Sequence, residues 1–192
     1  MRPAYEALRD MVANRLSPSA FAHSERVAGT AAWIAGVYGV DVENARAAGL
    51  LHDWHRETDR AALERRAREN GVPVTDVDRA VPYLLHGPLA AAELAQEVPG
   101  LPEDVLDAIA KHTYGGAEMS PLAMVVYVAD VIEPDRDHKG VQALRDEVGV
   151  LGLGELFARA YKASVRHVVK TRRHIHPDTV ATWNRYVAEP RS

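Results

Sequence analysis

Apolar positions in this chain recur at helical spacing, and the runs they form are punctuated by proline near their starts and glycine after their ends. After Ser17-Pro18, the residues Phe21, Val27, Ile34 and Val37 can build one apolar face that closes at Gly39. Asp41 can cap the next helix, which runs through Ala45, Ala48 and Leu51 toward His52. A third helix is expected from about Asp59 to Asn70, ending at Gly71. Its Arg60, Arg65, Arg66 and Arg68 alternate with Glu64 and Glu69 as on a solvated, charge-paired face. Gly87-Pro88 precedes an Ala-rich helix, Leu101-Pro102 one that reaches Lys111-His112, and Ser120-Pro121 one over Leu122 to Ile132. The C-terminal part reads as a short helix after Gly140, a long one from about Gly154 to Thr171, and a last one opened by His176-Pro177-Asp178. No segment alternates over enough residues to form a buried strand, so the expected fold class is all-α.

Composition narrows the class of protein. At 192 residues the chain fits one domain able to bury roughly 70% of its unfolded surface. Hydrophobic and charged fractions of 47% and 26% are those of a folded soluble protein. No repeat or long linker divides it. The chain has no cysteine, so a metal, if bound, must sit on nitrogen and oxygen. Neither a signal-peptide core nor a membrane-length apolar run is present, which predicts a cytoplasmic protein without a membrane partner. A net charge of −4 argues against nucleic acid as a general partner but leaves a small anionic substrate open.

The chemistry concentrates in His23, His52-Asp53, His86, His112 and Asp130, which stand on or beside separate predicted helices. Imidazoles and carboxylates that converge from facing helices are a recurrent way to build a metal site in an all-α protein. Asp130 follows Val125-Val126-Tyr127-Val128-Ala129, and His52 follows Ala47-Ala48-Gly49-Leu50-Leu51. An ionised carboxylate in such surroundings costs several kcal/mol unless a cation or hydrogen bonds offset it. Taken singly, each residue can also be read structurally, Asp130 as a helix terminator and His52 as a hydrogen-bonded core histidine.

As an ordered set, His23, His52-Asp53 and Asp130 resemble the H…HD…D signature of HD-domain phosphohydrolases. The wider context is similar to the branch of YqeK-type symmetrical dinucleoside tetraphosphatases: Ala22-His23-Ser24, Leu50-Leu51-His52-Asp53, His86-Gly87-Pro88, His112-Thr113, Tyr127 to Pro134 with Arg136-Asp137, and Pro177-Asp178-Thr179. The resemblance spans about residues 20 to 184. It implies an HD-domain helical bundle over 1–192, with a metal-binding core at about 18–135 and C-terminal helices at about 140–188 packed on it. It further implies two divalent or mixed-valence metal ions, commonly iron, with manganese or another divalent ion as alternatives. His23, His52, Asp53 and Asp130 would hold one ion, and His86, His112 and a bridging Asp53 the other. The implied reaction is hydrolysis of diadenosine tetraphosphate to two ADP, by attack of metal-activated hydroxide on an inner phosphate. A homodimer stays open.

Two positions depart from that family. Lys is common there where this chain has Arg56, which keeps the positive charge but replaces a point donor with a planar fork. A basic residue usually stands two before the histidine matching His112; here that position is Ala110, and the adjacent Lys111 points about 100° away on a helix. Asp53 and Arg56 are the candidate catalytic residues. Arg56, Arg136, Thr113 and Trp54 are candidate substrate contacts, with Trp54 beside Asp53 as a pocket wall and Trp33 expected in the core. Ser24 and Thr113 can orient imidazoles or simply bond their own helix. Arg136 can meet phosphate or pair with Asp137. His55 has ligand spacing from His52, but the resemblance assigns it no such role. The basic run Lys170, Arg172, Arg173, His174 and His176 reads as a solvated face that can border a substrate cleft. Two other functions remain: an HD phosphohydrolase of another nucleotide, and a non-catalytic nucleotide- or protein-binding module.

Overall fold

The computed structural model describes residues 3–188, and among them it contains helices and no strand. Helix α1 spans Tyr5–Arg15, α2 Pro18–Tyr38, α3 Val42–Leu51, α4 Arg60–Glu69 and α5 Asp76–Ala80. A 3-10 turn, Pro82–Leu85, leads into α6, His86–Glu97. There follow α7 Glu103–Lys111, α8 Pro121–Ile132, α9 Val141–Asp146, α10 Leu153–Lys170 and α11 Pro177–Tyr186. No helix is long and apolar enough to cross a membrane among the described residues.

Local chemistry accounts for most boundaries. The Ser17 hydroxyl accepts from Ala20 N–H and the Asp41 carboxylate from Asn44 N–H, each satisfying a donor that the helix start leaves free. Gly39 ends α2 in the left-handed region at φ 68°, where a side chain would be strained. Three elements lie outside the sequence-based expectations. Helix α1 buries only Leu8 and Val12. The short α5 is held by a reciprocal Thr75–Asp78 capping box. The 3-10 turn starts α6 at His86, two residues before Pro88.

Helix α8 is the axis of the fold, in contact with α2, α3, α7, α9 and α10. Being enclosed on most sides, it buries Leu122, Ala123 and Val125 through Ala129 with no polar face. Its neighbours α2 and α3 pack so closely that a Cβ on Gly49 would lie 2.9 Å from Ala28 Cα. This approach sets the buried stripe of α2 along Val27, Ala28, Ala31, Ile34 and Ala35. Trp33 and Val37 fall off that stripe, and the expectation that they face the core is corrected: they are 50% and 45% exposed. At the other end of the chain, α9 and α10 pack on α8, and α11 packs on α10.

Candidate metal centre

All but one of the candidate ligands stand at or near a helix end. His23 projects from the first half of α2, His52 caps the C-terminus of α3, Asp53 follows it, His86 begins α6, His112 caps α7, and Asp130 sits in the last turn of α8. His52, Asp53, His86, His112 and His23 are each at most 5% exposed. All of the sequence-predicted ligands therefore meet in one place.

Each imidazole is oriented by its Nδ1. His52 donates to Gly49 O at 2.8 Å, His86 to Tyr83 O at 2.6 Å and His112 to Ile109 O at 2.8 Å. The partner is always the carbonyl three residues back, one of those that helix and turn ends leave available. His23 has no free carbonyl in mid-helix and donates instead to the Glu133 carboxylate at 3.2 Å. Glu133 is in turn held by Arg26 at 2.7 Å. With each Nδ1 engaged in this way, every Nε2 atom points inward, the orientation typical of metal-ligating histidine.

Asp53 divides the cluster. Its Oδ2 lies 3.1 Å from His52 Nε2 and 3.5 Å from His23 Nε2, whereas its Oδ1 lies 3.4 Å from His86 Nε2 and 3.9 Å from His112 Nε2. On the Oδ2 side, His23 Nε2 also approaches Asp130 Oδ1 at 3.1 Å. His23, His52 and Asp130 can converge on one ion, as can His52, Asp53 and His112.

Three observations show that this donor set fits a cation. The Nε2 atoms of His23 and His52 are buried without a hydrogen-bond partner despite the nearby carboxylates. The Nε2 atoms of His86 and His112 face each other at 2.9 Å, and two such lone pairs need positive charge between them. The electrostatics agree. Burial alone would raise the Asp53 pKa, yet His52 and His86 hold it well below the carboxylate range. Burial would likewise lower that of His52, but Asp53 and Asp130 push it up to about 9. His112, which is buried and faces His86 and His52, falls to about 3.

The cluster opens onto a cleft of about 280 Å³ lined by Arg56, Tyr83, Thr113, Tyr127, Asp130 and Arg136 among others. Arg56 pairs with Asp53 Oδ2. Arg136 donates to Asp130 through both its side-chain carboxylate and its carbonyl, at 2.6 and 2.9 Å, rather than pairing with Asp137. Thr113 Oγ1 lies 3.1 Å from His112 Nε2.

Trp54 is not brought to the cleft. It is 3% exposed, belongs to the core and carries the Arg15 guanidinium 4.2 Å over its ring. The turn after His52 points its side chain inward, and the exposed aromatic at the rim is Tyr83, stacked on His86 at 4.5 Å. His55 also turns away, to Glu93 at 2.9 Å, which Arg66 clamps. Ser24 is fully buried with its hydroxyl unpartnered. Lys111 reaches Glu118 O and Asp107 instead of the cleft. Of the basic run, His176 caps α11, while Arg173 and His174 stand at the edge of a neighbouring cavity.

Sequence reasoning passed over the roles of Glu133, Tyr83 and Gly87. A Cβ on Gly87 would meet Ile109 O at 2.9 Å and the His112 ring at 3.1 Å. The absence of a side chain there is what lets α6 and α7 bring His86 and His112 together. A glycine directly after a candidate ligand histidine was the available signal.

Fold and cluster together define a metal-dependent hydrolase of the HD class. The HD domain model matches residues 20–135, a span that includes every candidate ligand, and the chain belongs to the HD domain family. Two relatives named symmetrical bis(5'-nucleosyl)-tetraphosphatase narrow the likeness. The protein from Halalkalibacterium halodurans is 31% identical over 93% of this chain and 95% of its own. That from Bacillus subtilis is 30% identical over 90% and 92%. A crystal structure from Clostridium acetobutylicum, of a protein named as a predicted HD superfamily hydrolase involved in NAD metabolism, superposes with a TM-score of 0.88. It shares 33% identity and covers 97% of this chain and 98% of its own.

Proposed function

We propose that this chain hydrolyses diadenosine tetraphosphate at its central anhydride, releasing two ADP, with a pair of divalent ions held by His23, His52, Asp53, His86, His112 and Asp130. The observation that carries the reading is the division of the Asp53 carboxylate. One oxygen faces His23 and His52 and the other faces His86 and His112, which is the disposition a bridging ligand requires. It is supported by the relatives of nearly equal length that carry the name symmetrical tetraphosphatase. Iron is the expected metal and manganese the alternative, since imidazole and carboxylate donors suit both.

When bound, such a pair supplies Lewis-acid activation of water and offsets charge on the phosphoryl oxygens. The chain's own residues do the rest. The four Nδ1 contacts fix the imidazoles before any ligand arrives, so that little reorganisation is left for the reaction. Arg56 and Arg136 line the cleft beside Asp53 and Asp130, and their planar forks match phosphoryl oxygens. Thr113 adds a hydroxyl beside His112. The apolar wall of α8 behind Asp130 keeps bulk water from the cluster. Because α10 supplies part of the cleft wall through Ser164, residues 1–192 are read as one functional unit.

The test is turnover by a metal-loaded sample with products resolved. Two ADP are expected, with labelled water entering one of them at its terminal phosphate. AMP with ATP would overturn the symmetrical assignment. Turnover of a different nucleotide alone would replace the substrate while keeping the metal chemistry.

A further inference from the structure

The cleft at the metal cluster continues in two directions, and the two continuations differ in chemistry. One is a cavity of about 330 Å³ whose walls are largely apolar and aromatic, including Tyr83, Tyr114, Tyr161, Val165 and Val168, with Arg173 and His174 at its edge. Tyr114 is held flat against His176, with ring centroids 3.9 Å apart, and Tyr161 is anchored by its hydroxyl to Tyr114 O at 2.6 Å. The other is an open groove of about 480 Å³ bordered by Arg136, His138, Lys139 and His167. Among the described residues, Asp130, a candidate metal ligand, is the sole carboxylate along it. Among the described residues the side chains of Lys139 and His167 make no ion pair, and both are exposed. Helix α10 separates the arms: Ser164 and Val168 line both, and Ser164 also faces the metal cluster.

We infer that the two halves of the dinucleotide are bound unequally, one nucleoside in the tyrosine-lined arm and the other half, phosphates foremost, along the cationic groove on the far side of α10. The inference rests on the dinucleoside tetraphosphate reading above and adds which side chains distinguish a dinucleotide from a mononucleotide. The enclosed arm lies at the lower end of the range of small-molecule sites, roughly 300 to 1,000 Å³, so it suits one nucleoside and not two. Of its tyrosines, Tyr83 and Tyr114 are partly exposed and held by His86 and His176 on one face, leaving the other for a base to stack on. The groove offers no comparable aromatic wall, and the ammonium of Lys139 on it, beside the Arg136 guanidinium, attracts the polyphosphate and the departing nucleoside diphosphate. A substrate that is chemically symmetrical thus meets an asymmetrical site, with the cluster at the junction of the arms.

The experiment compares equilibrium binding of ADP and of a diadenosine tetraphosphate analogue with a methylene at its centre, both to the metal-loaded protein. In the parent the analogue binds more tightly than ADP. Lys139→Glu combined with His167→Glu is expected to weaken the analogue by about tenfold or more while leaving ADP within about twofold. Val165→Trp, which fills the tyrosine-lined arm, is expected to weaken both by about tenfold. The inference is overturned if the parent binds the analogue no more tightly than ADP, if the paired glutamates affect both ligands alike or neither, or if Val165→Trp changes neither. Turnover of unmodified diadenosine tetraphosphate is a separate readout. A parent that releases no ADP defeats the proposed function, while the binding comparison still decides between one arm and two.

Discussion

The two halves of the cluster are built from different materials. On the Oδ2 side of Asp53, His23 and His52 share their space with Asp130, and Glu133 stands behind His23. Arg56 and Arg136 gather on that side as counter-charges. On the Oδ1 side stand His86 and His112 with the neutral Thr113 hydroxyl, the imidazoles oriented by neutral carbonyls and brought together by the bare backbone of Gly87. The pKa directions follow the same division, with His52 raised by carboxylates and His112 lowered by burial and neighbouring imidazoles. The first half is organised by charge and the second by close packing. A perturbation of charge and a perturbation of shape should therefore act on different halves.

Asp53 belongs to both halves, and its loss should have the largest effect. Asp53→Asn is expected to reduce bound metal to one ion or none and to lower turnover by more than about 100-fold, beyond the range for outer-shell partners. Elemental analysis alongside kinetics checks this. Retention of two ions at near-parent rate would remove the bridge and merge the halves into one site.

Glu133→Gln should act on the first half alone. It withdraws the carboxylate that fixes His23 while preserving a hydrogen-bonding shape, and outer-shell changes of this kind cost roughly 10- to 100-fold in metal affinity. One of two metal-binding steps in a titration is expected to weaken and the other to hold. Equal weakening of both would show that the halves are not separately supported.

Gly87→Ala should act on the second half through shape. Its Cβ would press on Ile109 O and the His112 ring, and overpacking typically costs about 1 to 3 kcal/mol. A lower melting temperature is expected together with selective loss of the ion near His86 and His112. An alanine variant of parent stability with two ions bound would show that α6 and α7 can separate without consequence.

The smallest expected effect is at Arg56. Arg56→Ala should lower kcat more than it raises KM, because the charge acts on the transferring phosphoryl group. Arg56→Lys keeps the charge and should retain much of the rate. Equal rates for the alanine variant and the parent would return Arg56 to a purely structural pairing with Asp53.

Much of this protein is determined locally. Helix starts at Ser17, Asp41 and Ser120 and the stop at Gly39 could be read from the chain, because caps and glycine stops depend on residue type over a few positions; the candidate ligands, spread from His23 to Asp130, were legible only as an ordered motif, and their convergence is a matter of packing. Where local signals were weak, elements passed unseen: α1 buries little of its own, and α5 is a single capped turn. What residue spacing could not supply is orientation about a helix axis. Trp33 and Trp54 are large and apolar, yet one faces solvent and the other packs in the core under Arg15, because the rotation of α2 is decided by how closely it meets α3 and α8, and the path of the turn after α3 by the packing around it. The split of Asp53 between two sets of imidazoles, the two arms beside α10 and the role of Gly87 likewise exist only once separate helices meet. Distances between residues far apart in sequence are fixed by packing, and no local pattern encodes them.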